Sequence, residues 1–85
     1  MESKIVVNVF DIAAGLEVFE SVDSIVINSK TYNLLIMKDY MPLIGEVDGT
    51  IVIKSKDEEI KRYENIGASY ILKSNEFNLI IRKRL

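Results

Sequence analysis

The stretch Tyr32–Ser55, Y-N-L-L-I-M-K-D-Y-M-P-L-I-G-E-V-D-G-T-I-V-I-K-S, decides how this chain is read. Its apolar runs, Leu34–Met37, Pro42–Val47 and Ile51–Ile53, are short and separated by K-D-Y-M-P and V-D-G, the pattern of three strands joined by two turns. Pro42 stands at the start of a strand, where its missing N–H costs least, and it pushes Met41 toward an extended backbone. Asp48-Gly49 lies between apolar runs and reads as a tight hairpin turn, because both residues tolerate positive φ. Nothing in the stretch has the form of a catalytic motif.

Outward from this centre the same texture continues. Toward the N-terminus, Lys4–Phe10 is a strand rich in β-branched residues, Asp11–Gly15 a connection, Leu16–Phe19 a brief strand and Val22–Asn28 an alternating one, followed by a turn at Asn28–Thr31. Toward the C-terminus, Lys54–Glu59 makes a charged loop. Ile60–Glu64 is weakly patterned, and a helical reading of Asp57–Tyr63 stays open there, with Glu58 and Arg62 four residues apart. Asn65–Ala68 interrupts, Ser69–Lys73 is a strand, Ser74-Asn75-Glu76 a turn, and Phe77–Arg82 the last strand. The predicted class is all-β: an antiparallel sandwich or flattened barrel of about 8 to 10 short strands, with residues 1–85 forming a single domain.

Composition narrows the chemistry. The 85 residues include neither Cys nor His, which removes disulfides, thiolate metal sites and the commonest general base. Hydrophobic residues make up 48% and charged residues 28%, the balance of a folding domain. No apolar run approaches the ~20 residues of a membrane span, and Met1-Glu2-Ser3 lacks a basic leader, so the expectation is a cytoplasmic protein without direct membrane insertion. Residues 1–50 carry three Lys against eight Asp or Glu, and residues 51–85 carry eight Lys or Arg against five acids, an asymmetry that favours oriented docking if the surface keeps it. Phosphate-cradling Gly motifs, zinc motifs and acidic calcium loops are missing. Asp57, Glu58 and Glu59 are the only carboxylate cluster, and their adjacency reads as a solvated loop. Arg82-Lys83-Arg84 is too small a basic run for nucleic-acid binding on an acidic chain. No catalytic residue, metal or cofactor is expected.

The order of these segments resembles the N-terminal β-sandwich of the epsilon subunit of F-type ATP synthases, over nearly the whole chain. V-F-E at Val18–Glu20 falls on that family's early Phe, and L-L-I-M at Leu34–Met37 on its apolar strand. K-D-Y-M-P-L at Lys38–Leu43 stands in its Pro-Gly-His-Ala-Pro-Leu segment, V-D-G at Val47–Gly49 in its Lys-Pro-Gly turn, and I-G-A at Ile66–Ala68 in its Ser-Gly-Gly corner. Tyr40 replaces the family's His, Asn33 stands near its turn Glu, and Ala68 replaces its second corner Gly. The resemblance implies a non-catalytic subunit of a central stalk in a membrane-associated complex, with a gamma-type subunit and the c-ring as protein partners. Asn33, Asp39, Tyr40, Met41 and Pro42 are the implied contacts, and Asp48, Gly49, Gly67 and Ala68 the implied structural turns. The family's C-terminal helical hairpin, which in many members binds ATP and inhibits the motor, has no counterpart in these residues, so the resemblance implies a short form that couples without that regulation. The alternative is a detached sandwich working as an adaptor or assembly module with another protein partner.

Overall fold

The computed structural model describes residues 4–84. Seven strands run in the order β1 (Ile5–Asp11), β2 (Gly15–Val22), β3 (Ser24–Ser29), β4 (Asn33–Met37), β5 (Leu43–Ser55), β6 (Glu58–Lys73) and β7 (Glu76–Arg84), and there is no helix among the described residues. They form one hydrogen-bonded sheet, β2-β1-β7-β6-β5-β3-β4. All neighbours are antiparallel except β1 and β7, which run parallel. The all-β class therefore stands. The strand count falls to seven because two predicted interruptions lie inside long strands.

The long β5–β6 hairpin organises the molecule. Gly49 pairs with Ile66 and Ile51 with Tyr63, so the single residue Thr50 faces two on β6, Glu64 and Asn65. Asn65 takes up the extra length with φ +55°. A bulge of this kind bends its strand and sharpens the twist. On one side of it, Ile66–Lys73 of β6 pairs with β7, and β1 and β2 follow. On the other, Gly49–Lys54 of β5 pairs with β3, and β4 follows. The sheet thus folds over into two layers. A single flat sheet is about 10 Å thick, whereas the smallest extent of this molecule is 23 Å.

Between the layers lies one apolar cluster. Ile5, Val7 and Val9 of β1 and Phe77, Leu79 and Ile81 of β7 face Ile25, Ile27, Ile36, Ile51 and Ile53 from the other layer, all buried. Period-two alternation is what sends these residues to one side. Tyr70 completes the cluster: it stacks on Phe77 with ring centroids 5.4 Å apart and its hydroxyl lies 2.8 Å from that of Tyr32, which donates to the Glu46 carbonyl. Burial pushes the Tyr70 phenol well above its usual value. Tyr63 behaves likewise, first through burial and then through its bond to Glu17 Oε1 at 2.6 Å. The tyrosines thus serve as core members with a polar tip satisfied.

Tight turns are placed where the sequence marks them. Lys56-Asp57 and Ser74-Asn75 each supply two consecutive positive-φ residues, as two-residue hairpins of the primed type require. Gly15, at φ +92°, closes the β1–β2 connection, in which the Ala13 N–H donates to the Asp11 carboxylate at 2.9 Å. Asp57 lies in the hairpin turn and Glu58–Tyr63 is strand, so the helical reading of Asp57–Tyr63 does not hold.

The expected Asp48-Gly49 hairpin turn is corrected by the structure. Both residues lie inside β5, and Gly49 has no positive φ. Its lack of a side chain serves a different need: a Cβ there would sit 2.1 Å from the Asn28 carbonyl oxygen, because β3 crosses closely at this point. Asp48 is bound on the same side, its N–H donating to Ser29 Oγ at 3.0 Å and its carbonyl accepting from the Lys30 N–H at 3.1 Å. Gly67 and Ala68 likewise do not end a strand; a register shift between them bends β6 against β7.

Candidate interaction surface

The residues that the resemblance singled out divide into two groups. Asp39, Tyr40, Met41 and Pro42 form the β4–β5 loop, whereas Asn33 sits at the other end of β4, about 13 Å away at strand rise. Asp39 takes φ +61° and is latched to the β6–β7 turn: its N–H donates to Asn75 Oδ1 at 2.6 Å, and Asn75 Nδ2 donates to Asp39 Oδ1 at 3.0 Å. Tyr40 is half-buried and packs against the core, so the loop presents Met41 and Pro42 to solvent. Near it, Lys4 pairs with Asp23, whose other carboxylate oxygen accepts the Lys56 N–H; the Lys4 bond is the main reason that this carboxyl lies below its usual range.

A larger feature emerges from the register. On the outer side of the five-strand layer, cross-strand partners form two rows, Leu16–Phe10–Ile80–Ser69–Glu46 and Val18–Asn8–Asn78–Ile71–Ile44. Six of these ten are exposed large apolar residues, from Ile80 at 41% to Ile44 at 84%, and Ile12 extends the patch at the β1–β2 turn. Its centre is the uncharged amide pair of Asn8 and Asn78, in which Asn8 Nδ2 donates to Asn78 Oδ1 at 2.9 Å, bridging β1 and β7; the Glu76 carboxylate borders the pair, accepting from Asn8 Nδ2 at 3.2 Å. Further charge lies at the rim, where Arg82 meets Glu46 at 3.3 Å. An apolar centre inside a polar rim is the anatomy of a protein-docking face, and monomeric surfaces seldom expose such a patch without use.

The outer side of the other layer is built differently. There Arg62, the cross-strand partner of Val52, lies between Glu59 at 2.8 Å and Glu64 at 3.5 Å. That bond holds the Glu59 carboxyl below its usual range. Asp57 is in the hairpin turn and Glu58 opens β6, so the three neighbouring acids do not converge on one point. Among the described residues no group of three or more His, Cys, Asp or Glu is placed to hold a metal ion. No helix among them is long and apolar enough to cross a membrane.

Reading the sequence alone assigns Phe10, Ile44, Ile71 and Ile80 simply to strands. The signal was present in their neighbours: L-I-I and Y-I-L are apolar at consecutive positions, so in a strand one of each set must face away from the core.

These features define an all-β sandwich built on a bent hairpin, with one outer face apolar. The same fold occurs in a solved chain of the Tetrahymena thermophila mitochondrial ATP synthase central stalk/c-ring: TM-score 0.71, 13% identity, 96% of this chain and 67% of that one covered. At that identity the likeness establishes the fold. No protein-family model and no curated protein matches the sequence.

Proposed function

We propose that this chain is a non-catalytic protein-interaction subunit of the rotary ATP synthase stalk type, related to the epsilon subunit, which docks through its outer apolar face. The observation that carries the reading is the exposed patch of Leu16, Val18, Phe10, Ile80, Ile71 and Ile44 around an uncharged Asn8–Asn78 centre. The shared fold with a stalk/c-ring chain supports it. A gamma-type subunit would cover the sheet face. Met41 and Pro42, with Asp39 and Tyr40 as flanking positions, would meet the c-ring and hold the complex peripheral to the membrane, while Asn33, at the far end of β4, would lie outside that contact. Such a wedge passes torque through packed contacts and needs no reactive group.

The second reading, an adaptor with another protein partner, is favoured by Tyr40: where the family has a His in this loop, this chain turns a tyrosine toward its own core. Co-expression with a gamma-type subunit separates the two. The stalk reading expects a complex that survives purification and is lost in Phe10→Lys and Ile71→Lys, both of which should fold. Absence of any complex with the wild-type chain, at low salt, overturns it.

A further inference from the structure

We propose that two copies of this chain pair through the free edge of β4, joining their sheets into one. The edge is separate from the apolar face of the preceding proposal but shares Asp39 and Tyr40 with its loop contacts, so variants at Leu35, which that proposal does not use, test the pairing on its own.

β4 ends the sheet, and among the described residues β3 is its only strand neighbour. The bond from the Ser29 N–H to the Tyr32 carbonyl, 2.8 Å, sets the phase of the β3–β4 ladder. Tyr32, Leu34 and Ile36 therefore direct their backbone groups toward β3, and the N–H and C=O of Asn33, Leu35 and Met37 point to the open side. Natural edges are usually blunted by charge, proline or a bulge. The other edge follows that rule: β2 carries Glu17 and Glu20, and its ladder with β1 has a register shift. β4, N-L-L-I-M, has no charge, no proline and an unbroken register, and it exposes Leu35 at 52% and Met37 at 54%.

A second copy is the occupant that this edge fits. With a two-fold axis at Leu35, antiparallel pairing sets Leu35 against Leu35 and Asn33 of one copy against Met37 of the other, so the three open residues of each copy form the bonds of a regular ladder. Beyond them Tyr32 faces Lys38, Thr31 faces Asp39 and Lys30 faces Tyr40. No like charges oppose each other along this register, and the two Leu35 side chains meet on one face of the joined sheet. The edge is short compared with a standard interface, so the dimer is weak and concentration-dependent.

Sedimentation equilibrium on the 85-residue chain tests this, from about 1 µM to about 1 mM. The mass should rise from 9.7 kDa toward twice that value. Leu35→Lys and Leu35→Glu, each placing like charges across the axis, should remain monomeric throughout with unchanged circular dichroism. An equimolar mixture of those two variants should dimerise again, and Ile44→Lys, on the other layer, should dimerise as the wild type does. A wild-type chain that stays monomeric at the highest concentration overturns the proposal. So does a dimer that Leu35→Lys leaves intact, or one that Ile44→Lys abolishes.

Discussion

Replacing Gly49 by Ala discriminates between a hairpin turn and a continuous strand at the centre of this chain. In a turn, Gly serves to reach positive φ; Asn is then a good substitute, and Ala costs about 1 kcal/mol. In the structure the obstacle is steric: the new Cβ would lie 2.1 Å from the Asn28 carbonyl oxygen, a backbone atom with no side chain to swing aside. Relief requires β3 to draw back by about 1 Å from its usual 4.7–4.9 Å spacing. Overpacking of this kind costs about 1–3 kcal/mol, and each neighbouring ladder bond that lengthens adds about 1 kcal/mol. A loss of about 3 kcal/mol is thus expected, from a total stability of roughly 4–13 kcal/mol for a chain of this length. At an unfolding entropy of about 0.18 kcal/mol/K the midpoint should fall by about 17 °C. Thermal and urea unfolding followed by far-ultraviolet circular dichroism gives both numbers. Gly49→Asn should be as harmful as Gly49→Ala. Gly15→Ala, at φ +92° with no atom within 4 Å of the new Cβ, should cost only the backbone strain of about 1–2 kcal/mol. A Gly49→Asn chain within about 1 kcal/mol of wild type would refute the reasoning.

Three further outcomes are expected. Tyr63 and Tyr70 have phenol values raised above 10 by burial, so their native protonation stabilises the fold up to about pH 10 and that contribution fades as pH rises further; comparing phenolate absorbance of the wild type with Tyr63→Phe and Tyr70→Phe should show these two phenols titrating only with unfolding. Asp11 lies below its usual range, first through the Ala13 N–H and further through Arg84, and Asp23 through Lys4, so their contribution is full above about pH 4 and fades as pH falls through their lowered values; Asp11→Asn should flatten that acid limb in urea midpoints measured against pH. Tyr70→Phe removes one bond to the Tyr32 hydroxyl and should cost about 1 kcal/mol in urea unfolding, whereas Tyr70→Ala, which also empties the space beneath Gly45 and beside Phe77, should cost about 3–5 kcal/mol.

The strands at Lys4–Phe10, Leu34–Met37 and Phe77–Arg82 were legible because β-branched content and short apolar runs between turn residues are local properties of the chain. So was the turn at Ser74-Asn75, whose residues accept positive φ without help from elsewhere. Asp48-Gly49 and Ile66–Ala68 were misread for a shared reason. Gly marks a backbone that must turn, but it also makes room inside a strand: at Gly49 for the Asn28 carbonyl of β3 and at Gly67 for the Lys83 side chain of β7, and only the position of those strands distinguishes the two uses. Ile60–Glu64, weakly patterned alone, becomes strand because the Lys56-Asp57 hairpin lays the start of β6 against β5. Of the implied contact loop, Met41 and Pro42 are presented to solvent and Tyr40 is partly withdrawn.

By itself, the sequence determined an all-β chain and a composition without Cys or His, together with most of the strand centres. Tertiary structure alone decided that β1 and β7, far apart in sequence, lie side by side in parallel, and that the β5–β6 hairpin bends the sheet into two layers at Thr50 and Asn65. It also decided that one outer face collects Phe10, Ile44, Ile71 and Ile80. The physical reason is distance along the chain. Alternation tells which residues share a side of one strand, but whether that side meets a core, a neighbouring backbone or solvent is set by strands drawn from elsewhere in the sequence.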